Sequence, residues 1–314
     1  MNLSFIGIHP YYGGLACNGG TRTIIKSVQS LNELGHKARI VAKVDRYTWE
    51  RHDTPKVKIP KDTDVCIAVS IHDIPLMKHE AAKRCPKAKL AIWLRSWPTN
   101  QMPEEKIIKK LDKFSRIGTV LVNAGWLKDH LIKNGVESEL VWAGFDEWEP
   151  HIYINNIEKI GCLYNPKLKT KRWQDFLYMK EKLGDAYEYI SFGVPKKCRT
   201  VGVKYISNPK HSQKEAIYGG ADIWFCPTVS EGFHQVGMEA GLCGCVVVGP
   251  DKPSCGMHDY LNNETGIIYN DLDDAVEKIQ KVDYNKGAVM HDYIFEKIGD
   301  RERNMKKLVE VFNA

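Results

Sequence analysis

Short apolar runs alternate along this chain with longer stretches whose apolar positions recur every three or four residues. LSFIGI (residues 3–8) is the first run, and the loop after it contains Gly13, Gly14, Gly19 and Gly20. From Thr21 onward Ile24, Ile25, Val28, Leu31 and Leu34 fall on one helical face, and Gly35 stands where that helix should stop. ARIVAKV (38–44) reads as a second strand. Strand, helix and strand follow one another here as a β-α-β unit, whose crossover helix returns the chain so that the strands run parallel.

The rhythm continues through DVCIAVS (64–70), KLAIWL (89–94), TVLVN (119–123) and ELVWAG (139–144), which predicts a doubly wound α/β domain over residues 1–150. FDEWEPHIYINN (145–156) breaks the rhythm and marks a linker. A second series begins at KIGCLY (159–164) and runs through YEYISFG (187–193), VKYI (203–206), ADIWFCP (221–227) and CVVVG (245–249). It predicts a second Rossmann-like domain over 151–285. Residues 286–314 read as helical, with Val289, Tyr293, Ile298, Met305, Leu308 and Phe312 as the buried positions. Tandem units of this kind bind ligands at the carboxyl ends of their strands, in the cleft between the domains.

Composition changes this picture little. A chain of 314 residues suits two domains, and 43% hydrophobic with 27% charged residues describes two buried cores rather than disorder. Residues 3–8 are too short for a signal-peptide core, and no apolar run approaches the roughly 18 residues that span a bilayer, so the expected location is the cytoplasm. The nine cysteines are odd in number and lack paired CxxC spacing, so they read as reduced thiols and not as a metal site. The net charge of +6 would suit a polyanion such as nucleic acid, but the lysines are spread through the chain and an anionic small ligand accounts for some of them.

The segment PTVSEGFHQVGMEAGLCGCVVVG (227–249) carries most of the chemistry. It places Glu231 and Gly232 in a turn after a buried strand and Gly237 and Glu239 in the helix that follows. The amino terminus of a helix offers amide donors and partial positive charge, so a phosphate can sit there without a metal. Small Gly232 and Gly237 allow close approach. Two carboxylates eight positions apart can accept hydrogen bonds from hydroxyls at two ends of one ligand. A solvated turn residue and a capped helix would give the same two glutamates.

This segment resembles the E-x7-E signature of family-4-type retaining glycosyltransferases of the GT-B fold, in which EGFG is followed by EA. Glu231, Gly232, Phe233, Glu239 and Ala240 match it, and His234 stands where that family usually has glycine. The opening IHPYYGGLACNGGTRTI (8–24) is similar to the family's glycine-rich loop, and VNAGWLKDHLIKNGVESELVWAGFD (122–146) to the end of its amino-terminal domain. The resemblance implies an α/β chain of two Rossmann-like domains facing each other across a cleft, its C-terminal helix crossing back to the N-terminal domain. It also implies transfer of a sugar from a nucleotide-sugar donor to an acceptor hydroxyl with retention, without a metal or other cofactor.

On that resemblance Glu231, Gly232, Phe233, His234, Gln235, Val236 and Glu239 bind the donor, together with Gly19, Gly20 and Gly193, while Gly13, Gly14 and Arg95 lie on the acceptor side. Glu231 meets sugar hydroxyls and Glu239 ribose hydroxyls. The family's arginine and lysine pair has no clean counterpart in GCLYNPKLKTKRWQDF (161–176), where Lys167 and Lys171 are the best carriers of the phosphate role, although a solvated basic loop would look the same. His72, in AVSIHD (68–73), matches a histidine that many members carry near the transferred sugar. Asp146, in the G-x-D that ends the first domain, should shape the interdomain crossing.

The acceptor is open among a glycan, a lipid, a small molecule and a modified DNA base, the last suggested by the basic and aromatic IWLRSWPTNQM (92–102). A nucleotide-sugar epimerase and a non-catalytic sugar- or nucleotide-binding module are the other readings. No stable protein partner is expected.

Overall fold

The computed structural model of the chain describes residues 1–7, 14–98, 101–146, 148, 150, 157–252 and 254–313. The chain divides into two compact units, Met1–Phe145 with Asp300–Ala314, and Asp146–Gly299. The expected domain limits were 150 and 285, so residues 286–299 fall with the second unit and only the last stretch falls with the first.

The first unit contains β1 (Asn2–Ile6), α1 (Gly19–Glu33), β2 (Lys37–Val41), β3 (Val65–Ala68), α2 (Ile74–Arg84), β4 (Lys89–Leu94), α3 (Glu104–Ser115), β5 (Thr119–Val122), α4 (Gly125–Lys133) and β6 (Glu139–Leu140). Its six strands stand in the order β2-β1-β3-β4-β5-β6. The pairing is parallel, with Leu3 opposite Ala38 on one side and Val65 on the other. Helix α1 starts where the sequence allows it, because Asn18 accepts a hydrogen bond at 2.8 Å from the Thr21 amide. Its buried face contains Ile24, Ile25, Val28 and Leu31, each worth about 1.5–3 kcal/mol when fully buried.

The run ELVWAG pairs only at its first two residues. Beyond them the chain bends at Gly144, where φ is +69° and an added Cβ would stand 2.5 Å from the Arg301 Cα. Arg301 opens the last helix and donates to the Ala143 carbonyl at 3.0 Å. Close packing of that helix's first turn therefore diverts the would-be strand.

The second unit contains β7 (Lys159–Leu163), α5 (Trp173–Leu183), β8 (Glu188–Gly193), β9 (Val203–Ser207), α6 (His211–Gly219), β10 (Ile223–Phe225), α7 (Gln235–Leu242), β11 (Val246–Pro250), β12 (Ile267–Tyr269), α8 (Leu272–Gln280) and α9 (Asn285–Lys297). Strand order is β12-β11-β10-β7-β8-β9, again all parallel. Ile160, Phe176, Ile223, Phe225, Val246 and Val248 form the centre of its core. Asp146 accepts from His211 Nε2 at 2.9 Å, which ties the start of this unit to α6.

The C-terminal helical stretch is two helices, α9 and α10 (Arg301–Asn313), separated at Gly299, whose φ is +78°. Met290, Ile294 and Ile298 are buried, whereas Val289 is 46% exposed and Tyr293 half-buried. The buried face of α9 thus lies one position from the one expected at Val289 and Tyr293. Met290 sits directly over Gly241 of α7, where an added Cβ would meet its sulfur at 2.3 Å. In α10, Met305, Leu308 and Phe312 are buried as the periodicity predicts and join the core of the first unit. Among the described residues no helix is long and apolar enough to cross a membrane.

Candidate functional site

In the second unit the sheet order itself assembles a site. Strand β10 lies between β7 and β11, so the loops that leave the carboxyl ends of these three strands meet. The loop after β7 ends in a single 3-10 turn, Lys169–Lys171. Thr170 accepts at 3.2 Å from the amide of Val229, in the loop after β10. From the β11 loop, Ser254 donates its hydroxyl to the Val229 carbonyl at 3.2 Å and the Gly256 amide donates to the Glu231 carbonyl at 3.4 Å. An added Cβ at Gly256 would stand 1.8 Å from the Gly232 carbonyl oxygen, so glycine is what lets these two loops touch.

The result is an ion pair between Lys171 Nζ and Glu231 Oε1, whose side chains keep 13% and 27% of their exposure. Both remain reachable from solvent while the loops beneath them are fixed. Arg172, next along the chain, turns away in a left-handed conformation (φ 47°) and pairs with Asp175 at 2.5 Å, which holds its guanidinium above its ordinary pKa. Lys167 is exposed on the same loop. Of the crowded cations after β7, Lys171 is the one the fold brings to the glutamate.

Helix α7 starts directly behind Glu231. Its N-cap is His234, which is 3% exposed and accepts from the Gly237 amide through Nδ1 at 3.2 Å. Tyr260, fully buried, donates its hydroxyl to the His234 carbonyl at 2.6 Å. Burial, and then the positive charge of Lys171, hold His234 well below its ordinary pKa, so the imidazole is neutral. With Nδ1 accepting, the proton of the ring sits on Nε2.

Three of the four amides that open α7 already have partners inside the protein. Gln235 N–H donates to the Phe233 carbonyl at 3.0 Å, Gly237 to His234 Nδ1, and Met238 to the His234 carbonyl at 3.3 Å. Among the described residues the amide of that turn without one is Val236. The open row of amides that a helix amino terminus suggests is therefore largely used. Glu239, one turn further on, is 5% exposed, and Tyr218 donates to its Oε2 at 3.0 Å. A carboxylate has further lone pairs to offer a hydroxyl, and the tyrosine fixes its direction.

Gly193 ends β8 against the carbonyl of Tyr164, where a Cβ would stand at 2.2 Å. Its own carbonyl accepts from Tyr205 at 3.0 Å and from the Asn208 amide at 2.6 Å. Those contacts make it a packing position at the end of the strand. Tyr218 and Tyr260 hold Glu239 and His234, and sequence reading missed both tyrosines. Each lies more than twenty residues from its partner in the chain (21 and 26), and no local spacing announces such pairs.

In the first unit a cavity of about 140 Å³ opens at the carboxyl ends of the strands, lined in part by Gly14, Asn18, Thr21, Ser70 and Arg95. Arg95 donates to the Gly20 carbonyl and, at 2.9 Å, to the Val69 carbonyl, clamping the start of α1 to the end of β3. Burial pushes its pKa down to about 10, with the Asp73 carboxylate acting the other way. Gly19 and Gly20 form the first turn of α1, and Gly13 lies outside the described residues. His72 does not line this cavity; its Nε2 meets Gln101 Oε1 at 3.0 Å. Asn18, unassigned in the sequence reading, carries a legible signal, an asparagine just ahead of a helical period.

The basic and aromatic segment 92–102 is divided by the fold. Trp93 is fully buried and donates to the Val141 carbonyl at 3.2 Å, so its ring belongs to the core. Trp97 is half-buried with its ring 4.8 Å from that of His130.

No protein-family model matches the chain, and no curated protein matches it by sequence. Solved structures match it in fold, some of them over its whole length. Sucrose-phosphate synthase from Thermosynechococcus elongatus superposes with a TM-score of 0.76 at 12% identity, covering 100% of this chain and 98% of its own. HepE from Anabaena, in complex with UDP and glucose, gives 0.78 at 13% identity with full coverage of both chains. The pneumococcal O-GlcNAc transferase GtfA, in complex with UDP and GlcNAc, gives 0.62 at 12% identity over 80% of this chain and 57% of its own. The chain has the GT-B fold, two Rossmann-like α/β units each built on a parallel six-stranded sheet.

Proposed function

We propose that the chain is a glycosyltransferase that moves a sugar from a nucleotide-sugar donor to an acceptor hydroxyl, with retention and without a metal. The observation that carries this reading is the Lys171–Glu231 pair, set over the start of α7 with Glu239 behind it. A cation beside a carboxylate suits a nucleotide sugar, whose diphosphate is anionic and whose sugar hydroxyls are donors. Lys171 takes the diphosphate and Glu231 the sugar hydroxyls, so the donor replaces their mutual contact with one partner for each. Glu239 receives the ribose hydroxyls. That HepE binds UDP and glucose, and GtfA UDP and GlcNAc, supports a donor of this class.

In the reaction the bond from the anomeric carbon to the departing phosphate breaks while the acceptor oxygen approaches, through a transition state of oxocarbenium character. Charge develops on the leaving diphosphate, and Lys171 stabilises it more in the transition state than in the ground state. The departing phosphate itself accepts the proton of the acceptor hydroxyl. No pair of carboxylates spaced for hydrolysis is needed. The first unit's cavity, with Arg95 at its wall, is the acceptor side.

The test is a thermal-shift screen with nucleotide sugars added one at a time. A donor at 100 times its Kd should add about 2.7 kcal/mol of stability, and the gain should fall in Lys171→Ala. A screen in which no nucleotide sugar or nucleoside diphosphate raises Tm would remove the reading.

A further inference from the structure

The position at which His234 stands is the one place where the turn into α7 departs from the EGFG pattern, and the fold gives that departure a definite form. The imidazole has a single acceptor, Nδ1, and it is spent on the Gly237 amide at 3.2 Å. The main chain of the same residue is held by Tyr260 at 2.6 Å. The ring therefore cannot turn over without breaking the cap, and Nε2 is left as a donor with a fixed direction. Among the described residues Nε2 has no hydrogen-bond partner, and the residue as a whole is 3% exposed. An N–H on a buried, fixed ring with no partner among the described residues is free to donate to an acceptor supplied from outside.

What could meet it follows from its neighbours. Lys171 contacts Glu231, which stands three residues before His234 in the turn that leads into α7. A neutral N–H donor beside an ammonium group favours an oxygen carrying negative charge. The first-turn amides that would otherwise serve such an oxygen are mostly paired internally, with Gly237 engaged by the histidine itself. The side chain thus takes one amide out of use and supplies its own N–H in place of it.

We infer that His234 is a specificity-determining residue that donates from Nε2 to an oxygen of the donor's diphosphate, beside Lys171, in place of the Gly237 amide it caps. This rests on the donor-site reading above. The ring stays neutral and so adds a directed hydrogen bond without a second full charge. Selectivity follows: a diphosphate long enough to reach both Lys171 and Nε2 gains from the histidine, and a monophosphate held elsewhere along the site does not.

The experiment is calorimetric titration of UDP, GDP and ADP, and of the monophosphate of whichever binds tightest, into the wild type, His234→Asn and His234→Gly. Asparagine is a good N-cap and can still accept from the Gly237 amide, but it has no group at the position of Nε2. We expect His234→Asn to lose about tenfold or more in diphosphate affinity, equivalent to about 1.4 kcal/mol, with monophosphate affinity and Tm close to wild type. His234→Gly should recover part of the diphosphate affinity through the freed Gly237 amide, at a lower Tm. Diphosphate affinity unchanged in His234→Asn, or an equal loss for mono- and diphosphate, would overturn the inference and leave the histidine a cap only. Wild-type protein that binds none of the three diphosphates would remove the donor-site reading and this inference together.

Discussion

At the scale of single residues the two glutamates differ in surroundings, and that difference predicts different failures. Glu239 is buried and oriented by Tyr218, whereas Glu231 keeps over a quarter of its side-chain exposure and faces Lys171. Glu239→Ala should weaken nucleoside diphosphate binding by about 1.5–3 kcal/mol, the range for a hydrogen bond to a charged group. Glu231→Ala should leave that affinity near wild type and lose most turnover; equal loss in both variants, measured by titration of the free diphosphate, would contradict the division. His234 adds a prediction in pH. Its folded pKa lies well below the ordinary value of about 6.5, so the unfolded chain binds a proton that the folded chain refuses. The stability this seat contributes is complete above that value and is lost as pH falls beneath it, at up to about 1.4 kcal/mol per pH unit. Urea midpoints should therefore fall more steeply between pH 6.5 and 5 in the wild type than in His234→Asn. Parallel curves would show that the imidazole protonates freely.

At the scale of elements the clearest dependence is that of the first unit on α10. Met305 and Leu308 are fully buried in the same core as Ile24, Leu31 and Phe5. Leu308→Ala should cost about 2–5 kcal/mol. Hydrogen exchange should locate the loss in β1 to β5 and leave β7 to β12 protected; exchange rising equally in both units would mean that they do not hold separate cores. Most strands were legible because each is a short apolar run between turn residues, and KLAIWL coincides with β4 from end to end. The strand β12 was not, since Ile267–Tyr269 offers three residues and no alternation. The break between α9 and α10 hides in a single glycine, and the buried face of α9 is set by its packing on Gly241, which periodicity alone does not reveal. In the site, the glutamates and the helix behind them could be read from local spacing. The contact of Lys171 with Glu231 could not, because it depends on β7 and β10 lying side by side, and the two tyrosines are placed by the tertiary fold alone.

At the scale of the whole molecule, two parallel sheets repeat one architecture, and the second offers a cation, two carboxylates and a neutral histidine at the ends of three neighbouring strands. On the proposed reading Lys171 and directed N–H donors hold the diphosphate, and the leaving charge is balanced without a metal. The most direct measurement follows release of nucleoside diphosphate from the nucleotide sugar that raises Tm, in excess chelator, for the wild type and Lys171→Ala. The account predicts steady release by the wild type without added metal and a loss of about 100-fold or more in the variant. Release that vanishes with chelation and returns with manganese or magnesium, or that survives intact in Lys171→Ala, would contradict it.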